Sequence, residues 1–187
     1  MEQSKNTDNS TKALYPSPKT IIYDNHKSTL HYGPDDDSVY NQMIRKVNET
    51  LSRNLSSGHP SLDKFQRVAV GAIRYPAPDG SFPAHIDHCC SWVYLLSLGC
   101  SANFIVKGPE MTDKHVFEFH SGDVFCFDAS TQAAILHGVQ NIRIGSCPEE
   151  LAQAFETLRH HRFGVQCRVK EYDDRNAETA TGTNQNA

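Results

Sequence analysis

The chain has 187 residues, of which 38% are hydrophobic and 21% charged, and its formal net charge is −4. This length fits one ordinary domain with a core of its own, and the composition is typical of a soluble globular protein. No apolar run approaches the roughly 20 residues of a membrane span, so we expect no membrane partner. The net charge lacks the basic surplus usual in nucleic-acid-binding proteins, which weakens that class without excluding it.

The N-terminal residues show no secretory signal, because no apolar segment follows Lys5. We therefore expect a monomeric protein of the cytoplasm or nucleus. In those compartments the six cysteines are expected to be reduced thiols. Their spacing includes no C-x-x-C pair, so it gives little support to a structural zinc site.

Residues 1–12 are rich in Ser, Thr, Asn and Lys, and residues 173–187 in Asp, Asn, Thr and Gly. Both tails are predicted to be disordered, which leaves one domain over residues 13–172. A first strand is predicted at 20–23. Between residues 38 and 55 apolar residues recur at every fourth position, which predicts one face of an amphipathic helix formed by Val39, Met43, Val47, Leu51 and Leu55.

From residue 67 onward, short runs of β-branched and aromatic residues alternate with Gly, Pro and Asp. Strands are predicted at 67–75, 82–87, 92–98, 102–106, 116–119, 123–127, 133–136, 139–142 and 162–169. A helix over 147–161 interrupts them. Evenly spaced short strands indicate an antiparallel sandwich, jelly roll or barrel, so the fold class is mostly β with flanking helices.

Two candidate metal ligands lie two residues apart in the strand at 82–87. Alternate residues of a strand point to the same face, so His85 and Asp87 project together, about 6.5–7 Å apart. With a histidine from a later strand they form a 2-His-1-carboxylate triad, the ligand set of non-haem Fe(II) oxygenases. The best third ligand is His137, predicted to lie where a strand meets a turn at Gly138.

A less specific interpretation remains open, because an H-x-D triplet is common and the chain has ten histidines. His88, Cys89 and Cys90 suggest a zinc site beside His85, but neighbouring strand residues point to opposite faces and cannot easily surround one tetrahedral ion. The remaining histidines of turns and polar segments are expected at the surface: His26, His31, His59, His115, His120 and His160.

Two arginines lie six positions apart in the last predicted strand, so Arg162 and Arg168 share a face. Guanidinium groups inside an apolar barrel need an anionic partner, and a bound dicarboxylate would match the planar fork of arginine. The alternative is that both arginines pair with Asp or Glu at the surface. Trp92, the single tryptophan, could stack on a nucleic-acid base or belong to the core.

Taken in order, these residues resemble the AlkB-like Fe(II)/2-oxoglutarate-dependent dioxygenases over roughly residues 67–169. The resemblance implies a double-stranded β-helix (jelly roll), in agreement with the strand pattern. It rests on the joint order of Ile73-Arg74-Tyr75, His85-Ile86-Asp87, Leu96-Ser97-Leu98-Gly99, Ala102-Asn103-Phe104, Gly122-Asp123-Val124, His137-Gly138-Val139 and Arg162 through Arg168.

The resemblance implies that His85, Asp87 and His137 bind Fe(II). It also implies that Arg162 pairs with the distal carboxylate of 2-oxoglutarate with help from the hydroxyl of Tyr75, and that Arg168 lies near the carboxylate that chelates the iron. The implied reaction consumes dioxygen and converts 2-oxoglutarate to succinate. A methyl group on an alkylated base of DNA or RNA is hydroxylated and leaves as formaldehyde, a demethylation that serves nucleic-acid repair.

The chain also departs from this family. Ile73 and Gly164 occupy positions where familiar members often carry asparagines that help to hold the co-substrate, and no nucleotide-recognition loop is matched before residue 67. Two alternatives therefore accompany the demethylase hypothesis. One is a dioxygenase acting on a protein side chain or small metabolite, which the acidic charge balance favours. The other is a non-catalytic binding module with the same fold.

Overall fold

The computed structural model describes residues 21–23, 30–32, 37–55, 60, 65–87 and 92–171, with the side chains of 37–55, 60, 68–87 and 92–169. The predicted disordered tails, and the zinc candidates His88, Cys89 and Cys90, lie outside the described residues. The described residues contain three helices: α1 (Val39–Asn54), α2 (Glu149–Ala154) and α3 (Glu156–Arg159). The strands are β1 (Ile21–Tyr23), β2 (Leu30–Tyr32), β3 (Phe65–Pro76), β4 (Phe82–Ile86), β5 (Trp92–Gly99), β6 (Ala102–Lys107), β7 (His115–Phe119), β8 (Val124–Asp128), β9 (Leu136–Gln140) and β10 (His161–Glu171).

The eight strands from β3 to β10 pair in a nested antiparallel order. The first of them pairs with the last, the second with the seventh, the third with the sixth and the fourth with the fifth. Two further pairings complete a larger sheet containing β3-β10-β5-β8 and a smaller sheet in the order β4-β9-β6-β7. The short strands β1 and β2 extend the larger sheet beside β3. This nested order is that of a jelly roll, so the predicted mostly β, double-stranded β-helix fold is confirmed.

The interior between the two sheets is filled largely by phenylalanines. Phe104 on β6 is fully buried, and its ring lies 5.1–5.4 Å from those of Phe117 and Phe119 on the neighbouring strand. The same ring lies 5.0 Å from that of Phe125 on β8, in the opposite sheet. These contacts close the two sheets over a shared core, and residues that point inward from either sheet meet in that core.

The outer face of the larger sheet is covered by α1, which begins where the hydroxyl of Ser38 accepts a hydrogen bond from the backbone N–H of Asn41. The helix was predicted correctly, and its buried face in part, because Met43 and Val47 of the predicted stripe pack against the apolar cluster on this sheet. Its buried residues are Asn41, Ile44 and Asn48, whereas Val39 and Leu55, at the two ends of the predicted stripe, are exposed. Residues four apart rotate by about 40° per step, so a stripe of five such residues winds away from any one contact surface.

The predicted secondary structure differs from the structure at three further places. The two strands predicted at 133–136 and 139–142 are one strand, β9, so His137 and Gly138 lie inside a strand and not at a turn. The helix predicted over 147–161 is two short helices separated at Phe155. Strand β2 falls in a segment whose polar composition gave no strand signal. Within the described residues, no helix is long and apolar enough to cross a membrane.

We expect replacement of Ile44 by alanine to destabilise the protein by about 2–5 kcal/mol, because Ile44 is 2% exposed and packs on the outer face of the larger sheet. Urea unfolding of Ile44→Ala and of the control Val39→Ala measures this cost. Val39 is 69% exposed, and its replacement should change the free energy of unfolding by less than about 0.5 kcal/mol. Equal effects of the two substitutions would contradict the packing of α1 described here.

Gly138 permits the close approach of β9 to β4, because a Cβ atom there would stand 2.9 Å from the Cα and N atoms of Ala84. We expect Gly138→Ala to cost about 1–3 kcal/mol, since the backbone of β4 would have to move. The matched control is Gly108→Ala, whose added Cβ would meet its nearest neighbour at 3.7 Å. The control should stay within about 1 kcal/mol of the unmodified protein in the same unfolding experiment.

Candidate active site

Two histidines face each other across neighbouring strands of the smaller sheet. His85 on β4 is the direct antiparallel partner of His137 on β9, and their ring centroids lie 4.5 Å apart. The absence of a side chain at Gly138, next to His137, lets the two strands come this close. The pairing of β4 with β9 therefore places both imidazoles on the inner face of the same sheet.

Both imidazoles are oriented by the carbonyl group of the residue two positions earlier in the chain. The Nδ1 atom of His85 lies 3.0 Å from the carbonyl oxygen of Pro83, and that of His137 lies 3.2 Å from the carbonyl oxygen of Ile135. If Nδ1 carries the proton and donates it to the carbonyl, Nε2 is left as the metal-binding atom of each ring. These Nε2 atoms lie 3.3 Å and 3.9 Å from different oxygens of Asp87, which follows the last residue of β4.

The three side chains fit a divalent metal ion. One ligand atom from each of His85, Asp87 and His137 lies within 4.8 Å of the other two, and no other group of three such side chains meets this criterion in the described part of the chain. Two imidazole nitrogens and one carboxylate form the donor set that non-haem Fe(II) prefers, and they leave further coordination positions open. The structure thus brings together the three residues that the sequence predicted as metal ligands.

Burial is the largest single influence on the pKa of each of these groups. It lowers the pKa of His137, and the neighbouring His85 lowers it further. It also opposes the charged forms of His85 and Asp87. Their mutual hydrogen bond and charge attraction outweigh it, so the pKa of His85 is raised and that of Asp87 lowered. A neutral His137 and an ionised Asp87 are the forms that bind a metal ion.

Arg162, at the start of β10, is fully buried in the core. Its Nη1 atom donates to the hydroxyl of Ser97 and, at 3.3 Å, to the carbonyl oxygen of Phe119. Its guanidinium carbon lies 4.7 Å from the centre of the Phe119 ring, in a cation–π contact. The alternative in which Arg162 pairs with a carboxylate at the surface is therefore excluded.

The guanidinium of Arg162 still has unused donors. Its Nε and Nη2 atoms are buried and have no hydrogen-bond partner among the described residues, and no carboxylate there forms an ion pair with it. Burial lowers its pKa to about 10, so the group stays charged at neutral pH. A buried cation with two free donors fits a carboxylate, the group that 2-oxoglutarate would present there.

The other two predicted co-substrate residues also lie on the inner face of the larger sheet. Tyr75 on β3 is the register partner of Arg162 and is 3% exposed, and burial raises the pKa of its hydroxyl. Arg168 lies six residues further along β10 on the same face and is half-buried. Its charge acts on the pKa of all three metal-type residues, which places Arg168 at the triad end of the interior.

Three of the histidines expected at the surface, and the single tryptophan, have described side chains. His115, His120 and His160 are exposed, as expected. Trp92 packs in the outer apolar cluster beneath α1, so the core interpretation of this tryptophan is confirmed. His26 and His59 lie outside the described residues, and only the backbone of His31 is described.

Two positions depart from the expected pattern of asparagines and offer no polar side-chain atom. Ile73 is 7% exposed in the central core. A Cβ at Gly164 would stand 3.4 Å from the Cε2 atom of Tyr75 and from the Cδ1 atom of Leu95, so these two side chains already fill the space beside the glycine.

Sequence reasoning missed Ser97 and Phe119 as neighbours of Arg162. A serine inside the apolar run of β5 was the available signal, because a buried hydroxyl needs a hydrogen-bonding partner. The serine alone does not identify its partner, because Arg162 lies 65 residues later in the chain.

The fold is similar to those of several solved structures. Of the solved structures, that of OsALKBH1 matches with 23% identity and a TM-score of 0.53, over 68% of this chain and 60% of that chain, so the chain spans less than two thirds of that protein's length. An oxalate oxidase structure matches with 13% identity and a TM-score of 0.39, over 56% of this chain and 43% of that chain. The Drosophila melanogaster CENP-C cupin domain matches with 11% identity and a TM-score of 0.38, over 73% of this chain and all of that chain.

A search of curated protein sequences gave no match. In contrast, the sequence profile of the 2OG-Fe(II) oxygenase superfamily matches residues 6–168, which include every element of the site described above. Fe(II), 2-oxoglutarate and dioxygen are therefore the cofactor and co-substrates expected at this site, and the metal-type triad fits them. The chain belongs to the 2OG-Fe(II) oxygenase superfamily, and its fold is like that of OsALKBH1.

Proposed function

We propose that this protein is a 2-oxoglutarate-dependent dioxygenase that oxidatively demethylates alkylated bases in DNA or RNA. One observation carries the chemistry: a metal-type triad and a buried arginine with free donors point from two facing sheets into one interior. The choice of a nucleic-acid substrate rests on the ordered sequence elements shared with the AlkB-like dioxygenases, and on a fold like that of OsALKBH1.

Each site residue has a proposed role in this reaction. His85, Asp87 and His137 would hold Fe(II) through two Nε2 atoms and a carboxylate oxygen. The bound metal would supply the activation of dioxygen that is coupled to decarboxylation of 2-oxoglutarate. Arg162, with the hydroxyl of Tyr75, would bind the distal carboxylate, and Arg168 would balance the charge of the carboxylate nearest the triad.

Two buried aromatic rings lie beside His137. The ring centroid of Phe127 lies 4.6 Å from that of His137, and Phe127 is 5% exposed. Phe104 stacks with the same imidazole at a centroid distance of 6.3 Å and is fully buried. In such a dry interior the charge of a bound co-substrate interacts strongly with the arginines, and reactive species are shielded from solvent.

The end of the smaller sheet nearest the triad carries basic residues that could contact phosphate. His85, His137, Val106 and His115 are in register across the four strands, and the loop beginning after Lys107 and ending at Lys114 projects beyond them. Lys114 is exposed there, whereas Lys107 donates to the carbonyl oxygen of Thr112 at 3.1 Å. We infer that this loop contacts a nucleic-acid strand bound at the triad.

A second candidate substrate is a protein side chain or small metabolite. The formal net charge of −4 favours it, because nucleic-acid binding usually requires a basic surface. The same loop also carries Glu110 and Asp113, so its charge is mixed. Both candidates keep the same metal and co-substrate chemistry and differ only in the molecule that is oxidised.

The chemistry is tested by replacing one proposed metal ligand. His137→Ala should lower the formation of succinate from 2-oxoglutarate by iron-loaded protein at least about 100-fold, because it removes one of three protein ligands. The control is His160→Ala, an exposed histidine outside the site, which should turn over like the unmodified protein. Equal turnover by the unmodified protein and His137→Ala would overturn the proposed ligand assignment.

The substrate is tested in the same assay with methylated single-stranded DNA and RNA. Release of formaldehyde from either, dependent on 2-oxoglutarate, is the expected result. Succinate formation without formaldehyde release from either nucleic acid would reject the demethylase proposal and favour a protein or small-metabolite substrate.

We expect Lys114→Ala to weaken the binding of single-stranded nucleic acid roughly two- to fivefold, because one exposed cation near the triad is lost. The dependence of log K on log salt concentration should become shallower by about 0.7. The matched control is Lys46→Ala, an exposed lysine on α1, which covers the outer face of the opposite sheet. Fluorescence anisotropy with a labelled oligonucleotide measures both constants, and identical salt slopes for the two variants would contradict a role of this loop.

A further inference from the structure

The hydrogen bonds of Arg162 divide its guanidinium into an occupied and an open side. Nη1 carries two hydrogens, and it has two acceptors, the hydroxyl of Ser97 and the carbonyl oxygen of Phe119. The Nε and Nη2 atoms, which form the other edge of the planar group, are buried without partners. A carboxylate that binds through two parallel hydrogen bonds would use this open Nε–Nη2 edge.

Ser97 is held in place independently of its hydroxyl. Its backbone N–H donates to the carbonyl oxygen of Asp123 at 3.0 Å, and its carbonyl oxygen accepts from the N–H of Gly122 at 2.8 Å. The residue is fully buried, and it is paired in register with Gly164 on β10. The turn between β7 and β8 therefore fixes Ser97, and Ser97 in turn fixes one nitrogen of Arg162.

No other side chain of the described residues hydrogen-bonds to Arg162. Tyr75, the register partner of Arg162 on β3, is not hydrogen-bonded to it, and the next pair on the inner face, Gly164 and Ile73, has no polar side-chain atom. Phe119 contributes its carbonyl oxygen and its ring face, which limit the tilt of the guanidinium plane. The contact from Ser97 is the side-chain hydrogen bond that limits rotation within that plane.

We propose that Ser97 is a positioning residue for the co-substrate. Its hydroxyl accepts a hydrogen bond from Nη1 of Arg162, and this bond orients the guanidinium so that the Nε–Nη2 edge faces the distal carboxylate of 2-oxoglutarate. This inference rests on the 2-oxoglutarate chemistry of the proposed function and is independent of the substrate that is oxidised. It predicts that Ser97 contributes to the recognition of the distal carboxylate and not to the binding of the 2-oxo acid group at the metal.

The test compares two ligands that differ in the distal carboxylate alone. Calorimetry with zinc-loaded protein gives the affinities of 2-oxoglutarate and of 2-oxopentanoate, which has the same chain length and no distal carboxylate. Ser97→Ala should weaken 2-oxoglutarate binding about tenfold or more, because a hydrogen bond to a charged group is lost, and should leave 2-oxopentanoate binding within about twofold. With iron-loaded protein, the same variant should raise KM for 2-oxoglutarate and leave kcat at saturation nearly unchanged.

The matched control is Ser101→Ala, a second buried serine, whose side chain is not bonded to Arg162. It should bind both ligands like the unmodified protein. Equal weakening of both ligands by Ser97→Ala would show a general structural role and overturn the inference, as would unchanged affinity for 2-oxoglutarate. Failure of the unmodified protein to bind 2-oxoglutarate at all would instead reject the co-substrate chemistry of the proposed function. Thermal unfolding of each variant checks that the backbone bonds of Ser97 keep the fold intact.

Discussion

The interior of this protein is organised around one buried positive charge. A guanidinium removed from water costs several kcal/mol unless hydrogen bonds and an opposite charge compensate for it. The described structure provides part of this compensation through Ser97, the carbonyl oxygen of Phe119 and the face of the Phe119 ring. It provides no carboxylate, and two nitrogens of Arg162 are without partners. The fold is therefore stabilised when an anion enters, which links co-substrate binding to the stability of the protein.

The nested pairing of the jelly roll explains why the metal-type and carboxylate-binding groups meet although they are far apart in sequence. Pairing of β4 with β9 brings His85 beside His137, 52 positions later, and pairing of β3 with β10 sets Tyr75 opposite Arg162, 87 positions later. Because the two pairings belong to facing sheets, the inner faces of β4 and β9 and those of β3 and β10 border one interior from opposite sides. In the proposed function, the two sides bind different parts of one molecule.

The strand periodicity made part of this site predictable. The even spacings from His85 to Asp87 and from Arg162 to Arg168 fix the faces of these residues once the segments are strands, and both predictions agree with the structure. His137 was identified, but a glycine beside it was interpreted as a turn. In the structure Gly138 allows β9 to lie close to β4. The sequence around Gly138 does not identify β4 as the partner strand, so this role could not be predicted. Part of the buried face of α1 was missed for a similar reason. Asn48 is buried because its side-chain oxygen accepts a hydrogen bond from the hydroxyl of Tyr94, which lies 46 residues away in the sequence.

The two departures from the expected asparagine pattern change how the interior must hold its ligand. The ring of Tyr75 leans over Gly164, so a larger residue there would compete with the tyrosine for the same space. An aromatic ring covering a glycine on the neighbouring strand is a recognised way of stabilising a sheet at such a position. The side-chain hydroxyls near Arg162 are those of Tyr75 and Ser97, and Ile73 and Gly164 add no polar side-chain atom beside them. The next polar side chains on the inner face of β10 are Gln166 and Arg168, toward the triad. A ligand with two charged ends and a short aliphatic chain matches that distribution better than a ligand that is polar along its whole length.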